Sequence, residues 1–174
     1  MTTPFKFAHA AHPDWTQAAQ ACMNQLGAIP ASATLGFLYV SDAFAGELDA
    51  ILAFFRSATA VPHWTGSIGV GVCATGVEYL QQPAMAVMLG EIDAADFSML
   101  PLLRTPQDID AQPLADAYFA VVHGDPANDR IQDLIEGLSA RLTSGFVVGG
   151  LSSSEGTSAQ IIDGVVSGGL SGVL

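Results

Sequence analysis

The chain has 174 residues, half of them hydrophobic and only 13% charged, with a mean hydropathy of +0.41. Its net charge is −12, from 17 acids against five scattered bases (Lys6, Arg56, Arg104, Arg130 and Arg141). Nucleic acid and anionic membrane surfaces both ask for a basic footprint, and this distribution excludes one. Gly, Pro, Ser and Asp interrupt every apolar run before the ~18 residues that a membrane helix needs. The length suits one domain with a substantial core. The opening residues show no apolar core followed by a cleavage site, so no secretory signal is expected. Cys22 and Cys73 lie far apart and fit a reducing, cytoplasmic setting. No ligand-spaced Cys/His cluster suggests a metal, and no cofactor motif stands out.

Taken in order, Phe5 to Ala10 alternates and reads as a first strand. Asp14 caps a helix over 14–26, with Gln17 in the capping-box position and Gly27 at its end. Trp15, Ala18, Ala19, Cys22, Met23 and Leu26 share its apolar face, which makes Cys22 a core residue. Thr34 to Val40 is a nearly continuous apolar strand. Ser41-Asp42 then caps a helix over 43–57 whose buried face is Leu48, Ile51, Leu52 and Phe55. The alternation of strand and helix predicts an α/β layered domain.

The stretch His63 to Gly76 sets Gly66, Gly69 and Gly71 among β-formers. Glycines there mark a bulge, or close approach by another backbone or a ligand. The spacing resembles a phosphate loop, but no Lys-Ser/Thr pair and no long helix follow it. Pro83 to Gly90 reads as a buried strand antiparallel to the first, and Phe97 to Leu103 as a further one. Thr105 to Pro113, with two prolines, is expected to be an exposed loop. Residues 117–122 form a central strand, His123 to Asn128 a tight turn, and 129–142 a helix burying Ile131, Leu134, Ile135, Leu138 and Leu142. Gly145-Phe-Val-Val-Gly-Gly-Leu-Ser-Ser-Ser154 reads as a buried strand running into a polar loop, and 159–174 as a hairpin. The strand, helix and strand from Ala117 to Ser154 are expected to form the centre of the fold. The predicted class is α/β: a mixed sheet, or two stacked sheets, with three main helices packed on it. Because Gly169-Leu-Ser-Gly-Val-Leu174 stops inside an apparent strand, the chain reads as one domain, a fragment of a longer protein.

Several segments together are similar to a known family. Leu35-Gly-Phe-Leu-Tyr-Val-Ser-Asp42, His63-Trp-Thr-Gly-Ser-Ile-Gly-Val-Gly71, Cys73-Ala-Thr-Gly-Val-Glu-Tyr79 and Gln82-Pro-Ala-Met-Ala-Val-Met-Leu-Gly90 occur in one order. His123-Gly-Asp-Pro126, Gly145 to Ser153 and Gly168-Gly-Leu-Ser-Gly172 follow them. The set resembles the N-terminal domain of the FIST family, named for F-box and intracellular signal transduction proteins. The resemblance runs from about residue 30 to the end. It implies a sensory module that binds a small ligand such as an amino acid, usually followed by a C-terminal FIST domain.

The candidate ligand contacts come from the residues themselves. Gly149 and Gly150 with Ser152 and Ser153 read either as a cradle for a small polar group or as a plain turn. His123 and Gly124 stand at a strand end, where α/β folds bind ligands. Asp125 beside them reads better as a turn cap. Gly66, Ser67, Gly69, Gly71 and Glu78 complete the candidate set. The acidic balance argues against a strongly anionic ligand.

Two rival readings stay open. A hydrolase or transferase would use Cys73, or Ser67 or Ser152, as nucleophile with His63 or His123 as base and Glu78 or Asp125 as orienter. No Gly-x-Ser-x-Gly elbow supports the serine version, and Cys73 reads more readily as a core residue. An interaction module would instead dock a signalling partner or a second copy through an exposed apolar face.

Overall fold

The computed structural model describes residues 5–114 and 116–174. The N-terminal residues on which the leader reading partly rests lie outside them, as does Ala115. The described chain contains twelve strands and four α-helices in an order that repeats itself. The first half runs β1 (Phe5–Ala11), α1 (Trp15–Leu26), β2 (Leu35–Ser41), α2 (Leu48–Thr59), β3 (His63–Gly69), a hairpin of β4 (Gly71–Ala74) and β5 (Val77–Leu80), then β6 (Ala84–Gly90). The second half runs β7 (Met99–Leu103), α3 (Pro106–Asp110), β8 (Phe119–Gly124), α4 (Ile131–Arg141), β9 (Phe146–Leu151), a hairpin of β10 (Ala159–Ile162) and β11 (Val165–Ser167), then β12 (Leu170–Val173).

The pairing repeats as well. β2 and β3 are parallel, β6 lies antiparallel beside β2, and β1 lies antiparallel beside β6. Likewise β8 and β9 are parallel, β12 lies antiparallel beside β8, and β7 beside β12. The sheets read β1-β6-β2-β3-β10-β11 and β7-β12-β8-β9.

Side-chain alternation then dictates four layers. One face of the larger sheet (Ala8, Leu38, Val40, Met85, Val87) packs on Ile51, Leu52 and Phe55 of α2 and Ala18, Ala19 and Cys22 of α1. One face of the smaller sheet (Leu100, Leu103, Ala120, Val122, Leu170) packs on Leu134 and Leu138 of α4 and Ile109 of α3. The remaining faces meet each other through Leu35, Phe37 and Val173, flanked by Tyr39, Met88, Met99 and Val121. The fold is a mixed α/β arrangement of two stacked sheets between helical layers.

One backbone device appears in both halves. A β-carbon on Gly66 would sit 1.8 Å from the carbonyl oxygen of Leu38, and one on Gly149 1.8 Å from that of Val122. Each glycine lets a parallel neighbour approach at a distance closed to any other residue. The apolar helix positions match in spacing: Leu48, Ile51, Leu52 and Phe55, all buried, in α2, and buried Leu134 and Leu138 with half-buried Ile131 and Ile135 in α4.

Several expectations change. Residues 145–154 do not form a buried strand: β9 is an edge, and five of its six residues are exposed. The unit from 117 to 154 is one of two equivalent halves and not a single centre. Its strand continues through His123 and Gly124, so the turn starts at Asp125, and its helix starts at Ile131. Asp14 caps α1 by accepting from the Thr16 N–H, but its own N–H donates to His12 Nδ1, which replaces Gln17 in the capping box. Residues 42–47 form a 3-10 helix broken at Phe44, so α2 begins only at Leu48. Ser41 caps nothing there, because its hydroxyl accepts from the Ala84 N–H. Thr105 to Pro113 is not all loop: Thr105 and Asp108 form a full capping box for α3. Cys73 is exposed and not core, since its two-stranded hairpin lies outside both main sheets, whereas Cys22 is buried as expected. The 159–174 hairpin closes at Ser167, and β12 crosses to the other sheet.

Replacing Gly66 or Gly149 with Ala is expected to destabilise the chain by about 3 kcal/mol or more, at or above the usual cost of overpacking. Gly46, whose added β-carbon meets nothing within 4 Å, should tolerate Ala without loss. Urea unfolding of the three variants checks this contrast.

Candidate functional site

The sheets are joined by polar contacts at the C-terminal ends of their parallel strands. His123 on β8 projects from the face opposite α4, toward the larger sheet, with 4% of its surface exposed. Its Nε2 pairs with the Tyr39 hydroxyl of β2 at 3.1 Å and its Nδ1 with Thr65 Oγ1 of β3 at 3.4 Å. Tyr39 follows Leu38 as His123 follows Val122, so the two meet at equivalent positions of the two halves. Nearby, Ser67 Oγ and Ser152 Oγ are 2.6 Å apart, both buried. Gln160 donates to Gly169 O at 2.9 Å and accepts from Ser171 Oγ at 2.7 Å.

Burial governs the chemistry here. Desolvation pushes the His123 imidazole down from its ordinary 6.5 to about 4 and raises the Tyr39 phenol. At neutral pH the pair is therefore an uncharged imidazole beside an uncharged phenol. The Tyr39 hydroxyl keeps hydrogen-bonding capacity beyond this contact, whereas both His123 nitrogens are already partnered.

Above this junction lies a cavity of about 220 Å3 lined by Tyr39, Val40, Ser67, Ile68, Gly69, Gly71, His123, Gly149, Gly150, Leu151 and Ser153. Seven of the residues singled out from sequence line it: Ser67, Gly69, Gly71, His123, Gly149, Gly150 and Ser153. Gly69 and Ser153 sit close together, and Ser153 Oγ accepts from the Val70 N–H at 3.3 Å. A β-carbon on Gly150 would meet nothing within 4 Å. Among the described residues no charged side chain lines the cavity.

The other candidates lie outside the lining. Gly66 is spent on its approach to Leu38, and Gly124 packs tightly against Leu151 and Ile131. Ser152 supports the site from behind through Ser67. Glu78 is exposed on β5, directly across the hairpin from Cys73. Cys73 lines a separate cavity of about 210 Å3 on the side of Phe7 and Met88, with Tyr39 between the two. Sequence reasoning missed Tyr39, Thr65 and the apolar walls at Ile68 and Leu151. Tyr39 sat in an apolar strand with nothing to mark its hydroxyl, and only the stacking of the sheets brings it to His123.

The pairs that nucleophilic catalysis would use are engaged elsewhere. His63 Nδ1 pairs with Asp163 at 2.8 Å, and both His123 nitrogens are taken by Tyr39 and Thr65. Asp125 accepts from the N–H groups of Ala127 and Gly168, both at 2.9 Å, and so acts as a turn cap. Among the described residues no Cys73–histidine or serine–histidine hydrogen bond is formed.

The buried imidazole carries a pH signature. Burial disfavours its charged form, so between pH 6.5 and 4 the unfolded chain binds more protons than the folded one. Its contribution to stability is fully present above pH 6.5, declines as pH falls through that window and is gone below about 4. A depression of this size corresponds to about 3 kcal/mol. Comparing unfolding free energies of the native chain and His123→Gln at pH 7 and pH 4 should show the native chain losing more by roughly that amount.

The family model described as the FIST N domain matches residues 34–174. No curated protein matches the chain. The match spans both halves of the fold, apart from β1 and α1, and covers every residue lining the cavity. The chain belongs to the FIST family, which is associated with sensing in signal transduction.

Proposed function

We propose that this protein is a sensory module whose inter-sheet cavity takes a small polar ligand, an amino acid being the first candidate class. The observation that carries this reading is a cavity set over a junction where the two halves meet through neutral, hydrogen-bonding side chains. Tyr39, Ser67, His123 and Ser153 offer donors and acceptors, and the backbone of Gly69, Gly71, Gly149 and Gly150 leaves room for close approach. Ile68 and Leu151 supply apolar walls. Such a lining, a few polar groups converging in an apolar setting, is the usual make-up of a ligand site.

Occupancy can be relayed because the site belongs to both sheets. A ligand that hydrogen-bonds His123 competes with Tyr39 or Thr65, and so biases how the second half sits on the first. The output is read by a partner: a C-terminal FIST domain of the same polypeptide, of which this chain forms the N-terminal part, or a separate signalling protein. With no basic footprint and no described helix long and apolar enough to cross a membrane, we place this exchange in the cytoplasm.

Thermal-shift measurements against the twenty amino acids and common metabolites test the reading. A ligand present at 100 times its dissociation constant should stabilise the chain by about 2.7 kcal/mol. Gly150→Val, whose β-carbon enters the cavity at a point with no other atom within 4 Å, should retain the native melting temperature and lose the ligand-dependent rise. Ligand stabilisation that survives in Gly150→Val would place binding elsewhere.

A further inference from the structure

The internal repeat is broken at one place. The hairpin of the second half crosses over to the first: β10 pairs antiparallel with β3, setting Gln160 opposite Ser67, Ile161 opposite Gly66 and Ile162 opposite Thr65. The equivalent edge in the other sheet is β9, where Gly149 stands in the place of Gly66. The hairpin that symmetry would assign to it is β4–β5. That hairpin instead lies against β2 and β6, and among the described residues no strand pairs with the outer side of β9.

Chain length explains the break. Seven residues, 152–158, link β9 to β10 and cross easily between sheets. A single residue, Val70, links β3 to β4. One connecting residue reaches about 7 Å, short of the ~10 Å between stacked sheets. The β4–β5 hairpin is tethered where it cannot serve β9.

The bare edge carries the marks of a missing strand. Ser152 N–H donates inward to Gly124 O, so strand alternation turns the N–H and C=O groups of Val147, Gly149 and Leu151 outward without a ladder partner. Phe146 is 63% and Val148 37% exposed. On the α4 side of the edge, a cavity of about 140 Å3 is lined by Val122, Ile135, Val147 and Leu170 among others. In the first half the corresponding place holds Ile161, fully buried in the core beneath α2.

We infer that β9 is the docking edge for an extended strand supplied by a partner. The strand runs antiparallel and places an aliphatic side chain in the cavity beside Ile135, as β10 places Ile161. Charge selects against a second copy of this chain. The net charge is −12, and all five bases are already engaged: Arg56, Arg130 and Arg141 with carboxylates, Lys6 and Arg104 with backbone carbonyls. Two such chains repel, whereas an apolar strand with basic flanks is attracted.

The test uses the full chain and a synthetic peptide, Lys-Lys-Ala-Gln-Ile-Ile-Lys-Lys, built on the β10 sequence. Backbone amide exchange at Val147, Gly149 and Leu151 should slow on the order of tenfold with saturating peptide. The effect should vanish when the first isoleucine of the peptide is replaced by aspartate, and in the variant Val148→Lys, a charge that blocks edges. Val148→Lys should keep the native melting temperature. No slowing in the native chain, slowing confined to β1 or β11, or slowing that persists in Val148→Lys would overturn the proposal. Protection of β9 that rises with protein concentration alone, without peptide, would assign the edge to a second copy and overturn it equally.

Discussion

The architecture turns on one contact between neutral groups: the His123 imidazole of the second sheet against the Tyr39 hydroxyl of the first. Burying a charged imidazole is costly, so this site keeps the ring uncharged and both its nitrogens partnered. Around that contact the other inter-sheet bonds fall into place, with Ser67 on Ser152 and Ser171 on Gln160. Apolar packing through Leu35, Phe37 and Val173 completes the interface but leaves space at the strand ends. The cavity is the space left open where two equivalent parallel strand pairs meet.

That origin explains its character. Equivalent positions of the two halves contribute to one site: Tyr39 and His123, which meet each other, and Ser67 and Gly150, which both line the cavity. Their backbones approach closely because Gly66 and Gly149 let each parallel neighbour in. Among the described residues no Asp, Glu, Lys or Arg enters the lining, although the chain is strongly acidic. The place is suited to recognising shape and hydrogen-bonding pattern more than net charge. The ligand binding proposed at this seam would tie recognition to the relation between halves, which is what a sensory domain needs.

Much of this was legible in the sequence. Helix faces such as Leu48, Ile51, Leu52 and Phe55 declared themselves by spacing, as did the apolar strands at 35–41 and 84–90. Glycines among β-formers pointed to close approach, and several of those residues line the cavity. The internal repeat was not legible, because it is carried by geometry and not by shared residues: Tyr39 corresponds to His123, and Ser67 to Gly150. Exposure of β9 was equally hidden. Phe146, Val147 and Val148 read as core, and only the one-residue tether at Val70 shows why no strand covers them. The capping box at Thr105 and Asp108 was visible in retrospect, but two prolines outweighed it.

The most direct measurement of the central claim is a nitrogen-15 NMR titration of the His123 ring with candidate amino acids. A ligand seated at the junction replaces a Tyr39 or Thr65 contact, so the ring nitrogens should shift together with the amides of Gly149 and Gly150. Saturable binding that leaves His123 unmoved, with shifts confined to the outer helices or the β4–β5 hairpin, would contradict the account.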